Sequence, residues 1–383
     1  MALQYRLTTT TIEDLTLDLN PSRMAGPEQS EIRATHLPAE WARQSGVQLT
    51  WPHEGTDWTP ILREVTECYI HMALEIALRE RLIIVTPAPE GVRQLLKERL
   101  PQRALANITL CRVPTNDTWA RDHGFITLKT STGCQLLDFQ FNGWGRKFPA
   151  GLDNEINRRL MGMMGDETDT PVLQGQYEDH LDFVLEGGSI ESDGRGTLLT
   201  TSRCLLAPNR NQPLSQAEIE ERLLRYLHAE RVLWLDHGYL AGDDTDSHID
   251  TLARLCPSDT IAYVRCTDTE DEHYGELHRM EEQLQSFRTL EGTPYRLIPL
   301  PMAAPAYDAE GQRLPATYAN FLIINGAVLM PTYRAPERDE LARRQLQQAF
   351  PRHEIVPIDC RVLIEQHGSL HCSAMQFPTG VIQ

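Results

Sequence analysis

The chain has 383 residues, 41% of them hydrophobic and 23% charged, and 54 acidic against 36 basic side chains leave a net charge of −18. These proportions exclude a disordered or fibrous chain, and no apolar run is long enough to span a bilayer as a helix. The acidic balance argues against a nucleic-acid partner and attracts small cations, although charge of this sign also serves solubility alone.

The opening MALQYRLTTTTIEDLTLDLN lacks the basic and apolar regions of a secretory leader, which reads as a cytoplasmic protein. Residues 1–36, rich in Thr, Ser, Pro and Glu and without sustained periodicity, read as an N-terminal extension, in part disordered, ahead of one domain over 37–383. A helix over 61–79 and the strand LIIV at 82–85 open that domain. A helix over 90–100 precedes the strand ITLCRV at 108–113, and a weaker helix over 153–163 precedes a strand near 172–173. SQAEIEERLLRYLHA at 215–229, with Ser215 as N-cap and Glu218 completing a capping box, leads into RVLWLD at 231–236. Helices over 270–287 and 337–350 lead likewise into YRLIPL at 295–300 and HEIVPI at 353–358, and FLIINGAVLMPTY folds back at Asn325-Gly326 as a hairpin. Helix-plus-strand units of this kind, five in number, suit either a ring or an ordinary open α/β sheet. The eight cysteines show neither CxxC pairs nor zinc-ribbon spacing, so most read as reduced thiols in the core.

Four islands set reactive or acidic side chains beside glycine in loops: TNDTWARDHG at 115–124, LEGGSI at 185–190, GDDTDSHID at 242–250 and EQHGSLHC at 365–372. Each has a plain reading. Asp122 beside Arg121 suits an ion pair or a turn cap, Glu186 suits a cap at a strand end, and Cys372 within LHC suits an inert buried thiol. GDDTDSHID suits a solvated loop and lacks the terminal Glu of an EF-hand. His248 and Asp250, two apart, would share a face on a strand, where His371 would point away from Cys372. Read together, the islands make a different inventory. A cysteine nucleophile needs a base and the base an orienting acceptor, which His248 and Glu186 supply. Asp122 and Asp250 remain, and two carboxylates suit a planar cation with several N–H donors.

These residues, with LPAEW, WARDHG, FNGWGRK, EGGSI, GTLLTT, NRN, GDDTDSHID, YANFLIINGAVLMPTY and the final HC in that order, resemble the agmatine deiminase and bacterial (Porphyromonas-type) peptidylarginine deiminase family of the guanidino-modifying, or pentein, superfamily. The resemblance covers residues 37–377. It implies an α/β fold of five-bladed propeller type, with pseudo-fivefold repeats around a central active site. It implies Cys372 as nucleophile, His248 as general acid and base, Glu186 as the holder of the imidazole, Asp122 and Asp250 as guanidinium ligands, and Trp119 as a substrate-binding residue that shapes the pocket or meets the cation with its ring face. It further implies no metal or organic cofactor, a small cationic guanidino substrate, homo-oligomers, and a place in putrescine and polyamine metabolism. Agmatine leads among the substrates; peptidyl-arginine, free arginine and other guanidino compounds are the alternatives, and a catalytically silent binding relative is the alternative of another class. The chain departs from the pattern in its longer N-terminus, in Glu191 where relatives commonly have His, and in His367-Gly368-Ser369 where agmatine deiminases usually carry a glycine triplet.

Overall fold

Residues 34–165, 169 and 171–382 are described by the computed structural model of the chain. The extension read over 1–36 falls almost wholly outside them. Its last residue, His36, pairs with Lys129 through backbone bonds of 3.0 and 2.9 Å.

The helix-plus-strand units build five separate sheets of mixed direction. In four of them a short strand turns back antiparallel onto a second, and a third returns parallel beside the second. These sets are Ile126–Lys129, Cys134–Gln140 and Gln176–Val184; Ile190–Ser192, Thr197–Thr201 and Arg231–Leu235; Ala253–Cys256, Thr260–Arg265 and Arg296–Pro301; and Leu322–Ile324, Ala327–Thr332 and Glu354–Asp359. The remaining sheet uses both ends of the sequence. Gln44–Thr50 lies between the parallel Arg81–Thr86 and the antiparallel Ala374–Pro378, and Ile108–Arg112 adds a fourth strand beyond Arg81–Thr86. The strand Gln44–Thr50 thus precedes the helix and strand expected to open the domain, and Arg81–Thr86 shares one sheet with the C-terminus.

Long helices cover the sheets because each buries one apolar stripe. Leu62–Ala77 buries Val65, Tyr69, Met72, Ala73 and Ile76, and Tyr274–Ser286 buries Leu277, Met280 and Leu284. Gln216–Tyr226 starts where the capping box sets it: Ser215 Oγ accepts from the Glu218 amide at 3.4 Å, and Glu218 Oε2 accepts from the Ser215 amide at 2.7 Å. The middle strands are buried on both faces, so Arg81–Thr86 and Thr260–Arg265 read as nearly continuous apolar runs. Gly326, at φ 78°, supplies the left-handed position of the predicted hairpin.

Two local expectations need correction. The helix over 153–163 is only a 3-10 turn, Asp153–Glu155, and a short helix, Ile156–Leu160. The strand near 172–173 is a single bridge between Leu173 and Ile382; the strand that pairs is Gln176–Val184, whose polar sequence hides it. All eight cysteines are buried and free of disulfides. Among the described residues no helix is long and apolar enough to cross a membrane.

Candidate active site

The five segments that carry the chain from one sheet to the next each deliver a buried polar group. The segment after Ile108–Arg112 carries Asp122, the next carries Glu186, and the third carries His248 and Asp250. The fourth carries Asn320, and the last carries Cys372 back into the sheet shared with Gln44–Thr50. Loops are the natural place for such groups, because the sheets fix their ends while leaving their backbone free to turn.

The structure brings Cys372, Asp250, Asp122 and His248 together. The Cys372 thiol is 3.8 Å from Asp250 Oδ2, and His248 Nδ1 is 3.7 Å from Asp122 Oδ1. Gly188 sits among them: a Cβ there would come within 2.7 Å of His248 Nδ1, 2.9 Å of Asp122 Oδ1 and 3.0 Å of Asp250 Oδ2. Only glycine lets the backbone approach so closely, and its amide donates to Asp122 Oδ1 at 2.9 Å. The other Asp122 oxygen accepts from Trp144 Nε1 at 2.9 Å.

Three readings of local geometry change. His248 and Asp250 flank and enter the 3-10 turn Ile249–Thr251 rather than a strand. His371 and Cys372 lie in a turn before Ala374–Pro378, so strand alternation does not separate them, and His371 Nδ1 lies 2.8 Å from Asp250 Oδ2. Glu186 lies near the imidazole and Cys204, with the three ligating atoms within 4.8 Å of one another. Its oxygens, however, accept from Arg210 Nε at 2.9 and 3.2 Å, and neither His248 ring nitrogen has a nitrogen or oxygen partner. The contact through which Glu186 was expected to hold the imidazole is therefore not a direct hydrogen bond in this conformation.

Asn320 was not foreseen. It is wholly buried, its Nδ2 is 3.2 Å from the Cys372 sulfur, and its Oδ1 accepts from the amides of His371 and Cys372 at 2.9 and 3.3 Å. Arg121 fixes the same turn through its amide, which donates to the Cys372 carbonyl at 3.1 Å. The His367-Gly368-Ser369 departure is tied down by its own side chains. His367 Nδ1 is 2.7 Å from the Gly242 carbonyl oxygen, Ser369 Oγ is 2.8 Å from the Tyr333 hydroxyl, and a Cβ on Gly368 would strike the Trp119 ring at 2.3 Å.

Burial governs the electrostatics. It pushes the Cys372 thiol well above its usual range, and the Asp250 and Asp122 carboxylates add to this, while bonds from Ser369 and Asn320 oppose it. For His248 burial works downward, but the charges of Asp122, Cys204 and Glu186 outweigh it and hold the imidazole well above its ordinary value. Burial and the charge of Asp250 raise Asp122, against His248. Burial would raise Asp250 as well, yet the His371 bond and charge hold it below the usual carboxylate range.

A cavity reaches Cys372 and Asp122 and is walled in part by Asp57, Asp117, Trp119, Trp144, Asp244 and His367. No arginine or lysine is among the described residues that line it. Trp119 donates from Nε1 to Asp117 Oδ2 at 3.0 Å. Burial lifts Asp117 to about 6, and burial with the neighbouring Asp243 lifts Asp244 to about 6. The rest of the acidic loop is spent on its own folding: Asp243 accepts from the amides of Thr245 and Ser247 at 3.2 and 2.6 Å, and Asp246 bonds Lys147 and Arg210 at 2.8 and 2.6 Å. Two described clusters hold metal-type donors, Glu186–Cys204–His248 and Glu40–Glu191–His371. In each the carboxylates already pair with a guanidinium, Arg210 in one and Arg254 in the other.

Over residues 36–378 the chain matches the family of Porphyromonas-type peptidyl-arginine deiminases. It is 30% identical over 366 residues to the agmatine deiminase of Pseudomonas syringae pv. tomato, covering 90% of this chain and 95% of that one. Its structure is similar to that of a Porphyromonas gingivalis protein named "putative arginine deiminase", with 50% identity, a TM-score of 0.84 and coverage of 91% and 100% of the two chains. It is similar also to a cysteine-to-serine variant of C. jejuni agmatine deiminase with substrate bound, with 37% identity, a TM-score of 0.80 and coverage of 90% and 97%.

Proposed function

Because the chain belongs to the Porphyromonas-type peptidyl-arginine deiminase family, a group of pentein-fold hydrolases, we propose that it hydrolyses the guanidinium group of agmatine, giving N-carbamoylputrescine and ammonia. The observation that carries the choice of substrate is the cavity at Cys372, walled by Asp57, Asp117, Asp122 and Asp244 with no arginine or lysine among the described residues that line it. Agmatine is a cation at both ends. Free arginine would set its carboxylate among these acids with no counter-charge, and an arginine within a peptide would leave the distal carboxylates without a partner.

In the proposed reaction Asp122 and Asp250 hold the guanidinium plane over the Cys372 sulfur. The incoming cation offsets the two carboxylates that keep the thiol protonated, so the thiol releases its proton to solvent and the thiolate forms as substrate binds. The Asn320 amide N–H, 3.2 Å from the sulfur, stabilises that charge. The thiolate attacks the guanidinium carbon. His248, whose surroundings favour the imidazolium, gives its proton to departing ammonia and leaves a thiouronium on Cys372. The neutral imidazole then takes a proton from water, which attacks the same carbon and frees the ureido product and the thiolate. Glu186 supports the charged imidazole electrostatically from the Arg210 pair. Thiol, imidazole and carboxylates between them supply every role, so no step calls for a metal or organic cofactor.

The architecture belongs to the same proposal. Four sheets share one strand order, and the fifth completes it by pairing the C-terminal Ala374–Pro378 with Gln44–Thr50, which supports closure into a five-bladed ring with Cys372 near the axis. The test of the function is a substrate panel of agmatine, free arginine and an internal arginine peptide, with ammonia and ureido product followed separately. Agmatine is expected to lead in kcat/KM by at least about thirtyfold, since each lost charge-assisted contact costs on the order of 2 kcal/mol. A lead by arginine or the peptide would move the assignment to that substrate.

A further inference from the structure

Two residues that this reaction leaves without a role meet behind Asp250: Glu40, from LPAEW, and His371, which precedes the nucleophile in the final HC, 331 positions away. His371 is wholly buried, with Nδ1 2.8 Å from Asp250 Oδ2 and Nε2 2.8 Å from Glu40 Oε1. Carboxylate oxygens only accept hydrogen bonds, so Asp250 calls for the Nδ1 proton, while Nε2 is held between Glu40 and the Arg254 Nη2 donor, 3.0 Å away. Arg254 closes the cluster: Nη2 is 2.6 Å from Glu40 Oε2, Nε pairs with Glu191, and Nη1 donates to the carbonyls of Ala319 and Phe321, either side of Asn320, at 3.1 and 2.7 Å. Arg121 Nη1 holds Glu40 Oε1 at 3.0 Å. Glu191, the departure from the family pattern, thus shares with Glu40 the binding of Arg254 into the cluster. The effect falls on Asp250, whose Oδ2 is taken by His371 while Oδ1 is buried without a hydrogen-bond partner.

We propose that His371, itself fixed by Glu40, is a positioning residue that anchors one oxygen of Asp250 so that the other is presented to the guanidinium. The proposal rests on the guanidinium-hydrolase reading above. A carboxylate with one oxygen tethered has lost the rotation that would let it collapse onto another partner, and it meets the substrate already aimed. The groups that face Asp250 are His371, His248, Arg254, Asp122 and the Cys372 thiol, with Glu40 and Glu191 behind. His371 is the donor among them that most offsets burial, so its loss moves the protonation of Asp250, and with it the acid limb of kcat/KM, to higher pH.

The experiment compares His371→Leu, His371→Asn and Glu40→Gln in the full chain, by steady-state kinetics on agmatine across pH and by thermal unfolding. His371→Leu is expected to lose about 10–100-fold in kcat/KM, as removal of an outer hydrogen-bond partner does, mostly through KM and with the acid limb displaced upward. His371→Asn, which returns an N–H donor near Nδ1, recovers most of the loss, and Glu40→Gln falls between. If His371→Leu does not fold, Glu40→Gln decides by its KM and acid limb. A fall in unfolding temperature with KM and acid limb unchanged in the folded variants overturns the proposal and leaves His371 a packing residue. A wild type that turns over no guanidinium compound removes the function and this proposal together, whereas an active wild type with unresponsive variants removes this proposal alone.

Discussion

Asp122 and Asp250 are assigned one task and are held by opposite means. Asp122 is hydrogen-bonded by neutral donors, the Gly188 amide and the Trp144 indole, both at 2.9 Å, and although His248 lies 3.7 Å away, burial with the neighbouring Asp250 charge leaves its carboxyl above the ordinary range. Asp250 is fixed by His371 with Arg254 behind, and despite equal burial it stays below that range. The difference teaches how a small desolvated site tolerates two like charges. Counter-charge is concentrated on one carboxylate and the other is left short of it; in the proposed reaction the substrate cation makes up the deficit. An empty site built this way favours a thiol, and a filled one a thiolate.

The comparison has meaning only if the two carboxylates serve a covalent reaction at Cys372. Cys372→Ser should therefore abolish turnover, by at least about ten thousandfold, while thermal unfolding stays within a few degrees. Residual deimination near the wild-type rate would leave nothing for the clamp to serve. The next largest effects should split the pair. Asp122→Asn and Asp250→Asn each remove a charge-assisted contact worth about 2–4 kcal/mol of transition-state stabilisation, tens- to a thousandfold in kcat/KM. Asp250→Asn should be the worse, because it also leaves His371 facing a neutral amide; equal losses would dissolve the asymmetry. Trp144→Phe should cost about tenfold, near 1.4 kcal/mol, since it deletes one neutral hydrogen bond to Asp122. Because that bond favours the ionised carboxylate, its loss raises the Asp122 carboxyl further, so the acid limb of kcat/KM moves to higher pH. Ser215→Ala, at the cap of Gln216–Tyr226, should lower stability by about 1 kcal/mol and leave kcat/KM untouched, which calibrates what a purely structural change looks like in the same assays.

What the sequence disclosed follows the range of the interactions involved. The capped helix before Arg231–Leu235 was legible because cap, box and apolar stripe all lie within a few residues. Gln44–Thr50 was not, because its partners stand at Arg81–Thr86 and Ala374–Pro378 and its own residues are only partly apolar. QYEDHLDFV concealed a strand because parallel pairing with Cys134–Gln140, rather than alternation, holds it. At the site, Asp122, Glu186, His248, Asp250 and Cys372 were visible as reactive types beside glycine in successive loops. Their partners were not: Trp144 for Asp122, Arg210 for Glu186, Asn320 for Cys372 and Glu40 for His371 lie 22, 24, 52 and 331 positions away. All four stand within the motifs FNGWGRK, NRN, YANFLIINGAVLMPTY and LPAEW, but no spacing rule says which side chain each motif sends to which loop.

The most direct test of the account is to stop wild-type protein in acid while it turns over agmatine, digest it, and weigh the cysteine peptides. The account predicts a thiouronium adduct confined to the peptide bearing Cys372, which disappears once substrate is exhausted. Ureido product formed at full rate with no adduct on any cysteine, or an adduct on Cys204 instead, would contradict it.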